Sequence, residues 1–236
     1  NIEIRNFLLN KIPSGKLVMA QPFLNDETKH LFQINPDLSN WLNDKKNMDK
    51  YIDTDMMPKK LGFFSNGHEL LSKQAELSAP CVIKVTSSSA GDGVYICRNK
   101  KMLLNSIADL VDVQGSILIE QLIVDKKNYG IQFGVPSENE RPITIIGYSE
   151  QVVTSEGEFM GGVSQAGSVP AELEPIIKIV RDDILPKIRA MGWYGVGCFD
   201  VLIDEDEKFY FIDCNFRMTG MSVFLILQHN GDLPPN

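Results

Sequence analysis

Apolar and polar positions along this chain change period several times, and each change marks an element. The first 45 residues show one clear strand pattern, 16–19, followed by polar, turn-rich text through Asn35, Pro36 and Asp37. Residues 43–60 are lysine-rich, and Met48, Tyr51 and Ile52 give a short helix a packing face before Pro58 ends it. A helix is predicted over 69–77, then a strand over 81–85 whose continuous β-branched run indicates burial on both faces. Small polar residues fill 86–93, and a second strand follows over 94–97. A helix over 101–110 leads to strands over 116–120, 129–135 and 142–153. Residues 154–169 hold four glycines and no apolar period, which predicts a mobile loop. Ile177, Val180, Ile184, Ile188 and Met191 then recur at helical spacing within 170–191, with Pro186 as a kink and Gly192 as a stop. A hairpin of strands 197–203 and 209–215 around the acidic turn 204–208 comes last. Helices and strands mixed in this order predict an α+β chain.

Composition narrows the function. With 236 residues and 43% hydrophobic side chains, the chain can bury the core of one or two compact units, which excludes disorder. A formal charge of -8 argues against a nucleic-acid surface or an anionic membrane as partner, so a polyanionic ligand must be held locally. No apolar run has membrane-spanning length and no signal pattern is present, and the reading is a cytoplasmic chain acting on small molecules. Cys81, Cys97, Cys198 and Cys214 form no CxxC pair and lie in apolar segments, as reduced buried thiols do. His30, His68 and His229 share no ligand spacing.

The terminal hairpin and one strand carry the candidate chemistry. Asp213, Asn215 and Arg217 fall at i, i+2 and i+4, so in a strand they share a face. If Asp204 closes the turn against Phe209, Asp200 lies opposite Asp213. Two carboxylates facing each other need a cation, and with the Asn215 amide oxygen they make a hard oxygen set suited to Mg²⁺. The other reading is a pair of solvated acids on an exposed hairpin, but the opposite parity (Phe199, Val201, Ile203, Ile212 and Cys214) is apolar and is expected to face the core. Arg217 offers a planar fork to phosphate or carboxylate. Lys84 inside the β-branched strand is either an edge residue in solvent or a cation reaching a phosphate, with the small loop after it supplying backbone N–H groups. That loop is not a Walker A sequence.

These residues resemble the ATP-grasp superfamily of carboxylate ligases, which includes biotin carboxylase and D-alanine:D-alanine ligase. The similar stretches are PCVIKVTSSSAGDGVYI, ILIEQLI and GWYGVGCFDVLIDEDEKFYFIDCNFRMTG, within about 43–220. The resemblance implies an ATP-grasp fold of two α+β subdomains sandwiching Mg-ATP. Residues 45–115 form the first with its phosphate loop, residues 116–236 the second with the hinge and metal hairpin, and residues 1–44 are a linker or remnant of an otherwise absent α/β domain. It implies that Lys84 contacts phosphates covered by Ser88, Ser89, Ala90 and Gly91. Glu120, Gln121 and Ile123 border adenine, and Asn128 lies near the ribose. Asp200, Asp213 and Asn215 hold Mg²⁺ or Mn²⁺, and Arg217 acts with Lys84 on the reacting phosphoryl group. Lys45 matches an earlier nucleotide-binding lysine, with Lys46 and Lys50 as rivals. The implied reaction is ATP-dependent activation of a carboxylate as an acyl phosphate, captured by an amine, in a homodimer or with a partner domain. A kinase, a carboxylase or a non-catalytic nucleotide module are the alternatives. Two departures stand out: Asp213 replaces the usual glutamate, and Gln151 stands near where biotin carboxylase has a basic residue.

Overall fold

The computed structural model describes residues 35–88, 93–164 and 169–229, and the strand expected over 16–19 lies outside them. Helix α1 (Pro36–Asn43) comes first. Asn35 accepts the Asp37 N–H and Pro36 sits in the first turn, so residues that read as a turn are in fact a helix start. A 3-10 segment (Lys45–Lys50) follows and buries Met48, with Tyr51 and Ile52 buried just beyond it, the packing face that the spacing predicts.

Strands β1 (Lys60–Phe64), β2 (Cys81–Val85), β3 (Val94–Cys97) and β4 (Ile117–Gln121) make an antiparallel sheet in the order β1-β4-β2-β3. Leu70 of α2 (Gly67–Ser72) and Leu103 and Ile107 of α3 (Lys100–Asp109) pack with Ile83, Ile117 and Ile119 to form its core. The β1 strand escapes the sequence pattern because Leu61 and Phe63 are exposed on an edge. The β4 strand, expected to open the second subdomain, pairs with both β1 and β2 and belongs to the first sheet. Its run Ile117-Leu118-Ile119 is buried on both faces, as an inner strand requires. The chain therefore changes sheets after Gln121, not at 115/116.

Strands β5 (Asp125–Val135), β6 (Thr144–Val153), β7 (Phe159–Val163), β8 (Gly195–Asp204) and β9 (Phe209–Asn215) form the second antiparallel sheet, in the order β7-β6-β5-β8-β9. The β7 strand corrects the mobile-loop reading of 154–169. Its pairing runs through Gly161 and Gly162, which have no side chains to show an alternation, and residues 165–168 are outside the description.

The helix predicted over 170–191 is α4 (Glu174–Ile179), a π turn (Val180–Ile184) and α5 (Leu185–Ala190). Pro186 has no N–H to bond the Asp182 carbonyl, and the widened turn lies immediately before it. Ile176, Val180, Ile184 and Ile188 cover one face of the sheet, where Phe133, Trp193, Phe199 and Phe216 meet edge to face or stacked. Met48, Tyr51, Ile52 and Met57 join this same core, so the start of the predicted first subdomain packs on the second sheet. Helix α6 (Ser222–His229), which the sequence reading omitted, sets Leu225 against Gly147 of β6. Among the described residues, no helix is long and apolar enough to cross a membrane.

Candidate active site

The face of the second sheet opposite its core meets the first sheet across a cleft, and the β8–β9 hairpin supplies its acids. Asp200 pairs directly with Asp213, and Cys198 with Asn215. The turn closes one residue earlier than predicted, with Ile203 opposite Phe209, and a bulge between the 200/213 and 201/211 pairs restores the register. Ile212 is the extra residue. Cys214 enters the core as parity predicts, but the bulge turns Ile212 into the cleft and Phe211 into the core, correcting the place of Ile212 on the core face.

Ile212's main chain also acts at the site: its carbonyl accepts a hydrogen bond from Lys84 Nζ at 2.8 Å. Lys84 alternates with the core residue Ile83 and so projects into the cleft, 94% buried. It pairs there with the equally buried Glu120 at 2.7 Å. The edge-strand alternative for Lys84 is thereby excluded. Lys45 is 4% exposed and places Nζ 2.8 Å from the Ser88 carbonyl and 3.2 Å from Asp213 Oδ2. Its rivals Lys46 and Lys50 pair with Asp44 and Asp49 at the surface. Arg217 donates to Asn215 Oδ1 at 2.8 Å and to the Met218 carbonyl at 3.1 Å. Asn43 Oδ1 accepts the Phe216 N–H at 2.9 Å, between these two side chains.

Two cavities share this cleft. One of about 390 Å³ is lined by Lys45, Lys84, Asp200, Asp213, Asn215 and Arg217. Its neighbour of about 370 Å³ is lined by Glu120, Gln121 and Ile123 together with Val82, Ile96 and Leu202, an apolar slot between strands. Asn128 and Ile212 border both, and Asn128 Oδ1 is buried there with no hydrogen-bond partner. Ser88 is described but Ser89, Ala90 and Gly91 are not. The sequence reading missed Val82, Ile96 and Leu202, although an apolar residue on a strand face turned away from the core was the available signal. It also missed Ser149 and Thr219, which line the larger cavity and have no periodic signature.

Burial, and then the charge of Asp213, push Asp200 up to about 6, opposed by hydrogen bonds from Gln151 and Cys198 and by the charge of Lys45. A divalent cation relieves this conflict. No group of three or more His, Cys, Asp or Glu side chains that could hold a metal is found among the described residues. An ion here would have Asp200, Asp213 and the Asn215 amide oxygen to draw on, with remaining positions left to ligand phosphate oxygens, the chemistry that magnesium favours.

Residues 63–215 match the family profile described as L-aspartate–L-methionine ligase, ATP grasp. Biotin carboxylase 1 of Bacillus subtilis is 23% identical over 170 residues, covering 69% of this chain and 37% of that protein. D-alanine–D-alanine ligase of Buchnera aphidicola is 25% identical over 162 residues, covering 65% of this chain and 49% of that one. The chain thus spans half or less of these curated relatives. Among solved structures, the biotin carboxylase domain of 2-oxoglutarate carboxylase from Hydrogenobacter thermophilus, in complex with MgADP and bicarbonate, superposes with a TM-score of 0.64 at 17% identity, covering 97% of this chain and 56% of that one.

Proposed function

Because the chain belongs to the L-aspartate–L-methionine ligase, ATP-grasp family, we propose that it uses ATP to join a carboxylate to an amine. The observation that carries this reading is the meeting of two buried lysines with the Asp200–Asp213 pair in one cavity, beside an apolar slot of nucleotide size. The slot, bordered by Glu120, Gln121, Ile123 and Asn128, takes the adenine and ribose. Lys84 and Lys45 face the phosphates, with the loop after Lys84 closing over them. Magnesium or manganese held by Asp200, Asp213 and Asn215 would neutralise phosphate charge.

A carboxylate oxygen of the first substrate attacks the γ phosphorus. The bond to the β–γ bridging oxygen breaks and ADP leaves. The amine nitrogen then attacks the acyl carbon, inorganic phosphate departs, and the nitrogen loses a proton. Arg217 and Lys84 offset charge that grows during the first transfer, so this chain contributes orientation and electrostatics with no covalent intermediate on the protein. The family description names two amino acids, which makes an amino-acid carboxylate and an amino-acid amine the first pair to test.

The test replaces the amine by hydroxylamine and screens amino-acid carboxylates for hydroxamate formed in step with ADP. Arg217→Ala should lower that rate at least tenfold while leaving ATP affinity within about threefold, since its partner is charge that develops during transfer. A stable phosphorylated product would identify a kinase, and nucleotide bound without any ADP release would identify a binding module. Either result rejects the ligase reading.

A further inference from the structure

Gln151 lies on β6 and Asp200 on β8, with β5 between them. Two strand spacings are about 9.5 Å, yet Gln151 Nε2 donates to Asp200 Oδ1 at 2.6 Å. The path crosses Gly130 of β5, which is paired with Asp200 on one side and with Ser149 on the other. A Cβ at residue 130 would stand 2.8 Å from Gln151 Nε2 and 3.3 Å from Cys198 Sγ. Gly130 is absent from the positive-φ glycines, so space and not backbone conformation calls for glycine there. The other carboxylate oxygen, Oδ2, accepts from Asn215 Nδ2 at 3.0 Å. Both oxygens of Asp200 are therefore held by neutral amides, which fix the plane of the group without cancelling its charge.

We propose that Gln151 is a positioning residue for Asp200, setting how this carboxylate is presented to a divalent cation, and that Gly130 is the slot through which it reaches. A basic side chain at this place would neutralise Asp200 and compete with the cation, whereas an amide leaves the full charge available. The inference rests on Asp200 being a metal ligand in the proposed ligase. Groups that orient a metal-binding side chain typically account for 10- to 100-fold in metal affinity.

The experiment measures Mn²⁺ retention by the full chain in the presence of ADP, following free Mn²⁺ by electron paramagnetic resonance. Gln151→Met, which keeps the length and loses the N–H, should weaken Mn²⁺ binding about tenfold and leave metal-free ADP binding unchanged. Gly130→Ala should do the same by displacing the amide. The double variant should lose no more than Gln151→Met alone, because no amide is left to displace. Thermal melting checks that each variant is folded, and Gln151→Met carries the test if Gly130→Ala is not. Mn²⁺ affinity in Gln151→Met within twofold of wild type would overturn the positioning role alone, as would losses that add in the double variant. A wild-type chain that retains no Mn²⁺ with ADP would instead overturn the metal reading beneath it, and the positioning role with it.

Discussion

Asp200 carries the electrostatic conflict around which the site is arranged. Its carboxyl, pushed up to about 6 by burial and by Asp213, stands above its reference value of 3.8. A carboxyl with a raised folded-state pKa favours folding while protonated. That contribution is full below about pH 4 and is lost as pH rises through about 6. Two pKa units correspond to about 2–3 kcal/mol, and relaxation of the site lowers the realised figure. The metal-free Asp200→Asn chain should therefore melt about 5 °C above wild type at pH 7.5 and close to it at pH 4.0. It should also lose ADP release at least 100-fold and gain nothing from Mn²⁺ with ADP. Calorimetry at the two pH values decides the matter: the same offset at both would mean that the carboxyl is not strained by ionisation. Lys45, 3.2 Å from Asp213, offsets only part of the charge, which leaves a reason for a cation to enter.

The β8–β9 hairpin marks how far sequence pattern reaches. Its strands, the shared face of Asp213 and Asn215, and the pairing of Asp200 with Asp213 were all legible, because alternation of polar and apolar residues is what a two-layer strand imposes. The bulge at Ile212 was not, since an inserted isoleucine looks like any other apolar residue and only the real turn closure, Ile203 against Phe209, exposes the extra position. For the same reason Gln151 was noticed only as a departure from a relative, its bond to Asp200 depending on a neighbouring strand's glycine. The shift of β4 into the first sheet was also illegible, because burial on both faces states that a strand is internal without naming its neighbours. Deleting Ile212 should turn the bulge into a regular ladder. Asp213 would still face Asp200, while Lys84 loses its carbonyl partner and the slot loses an apolar wall. Mn²⁺ binding should survive and ATP affinity should fall about tenfold, the scale of one charge-assisted hydrogen bond. Titration of both ligands on the folded deletion variant tests this; parallel loss of metal and nucleotide would show that the bulge holds the acids in place.

The two sheets keep separate apolar cores, one around Ile83 and Ile119 and the other around Phe133 and Phe199, and polar contacts bridge them beside the apolar slot. Lys84 reaches from the first sheet to the Ile212 carbonyl of the second, and Lys45 links the Ser88 carbonyl to Asp213. Arg98 donates to the Ser155 carbonyl from the same direction. In a chain of net charge -8, cations gathered at this joint would offer a polyanion a local place to bind. A polar joint also yields more readily than an apolar core, so a ligand that replaces its lysine contacts can draw the sheets together. Lys84→Met removes the cation and leaves Glu120, 7% exposed, without its partner, a change that typically costs 3–5 kcal/mol. Adding Glu120→Gln removes the stranded charge and should recover most of the melting temperature, while turnover stays at least 100-fold down because the phosphate-facing cation is still missing. Hydrogen exchange completes the argument. In wild type, Mg-ATP should slow amide exchange in β2–β3 and β8–β9 together, and in the double variant it should slow β8–β9 alone, since the link through Ile212 is gone. Joint protection persisting in that variant, or turnover within threefold of wild type, would mean that Lys84 serves the first sheet's stability and not the coupling of the two sheets.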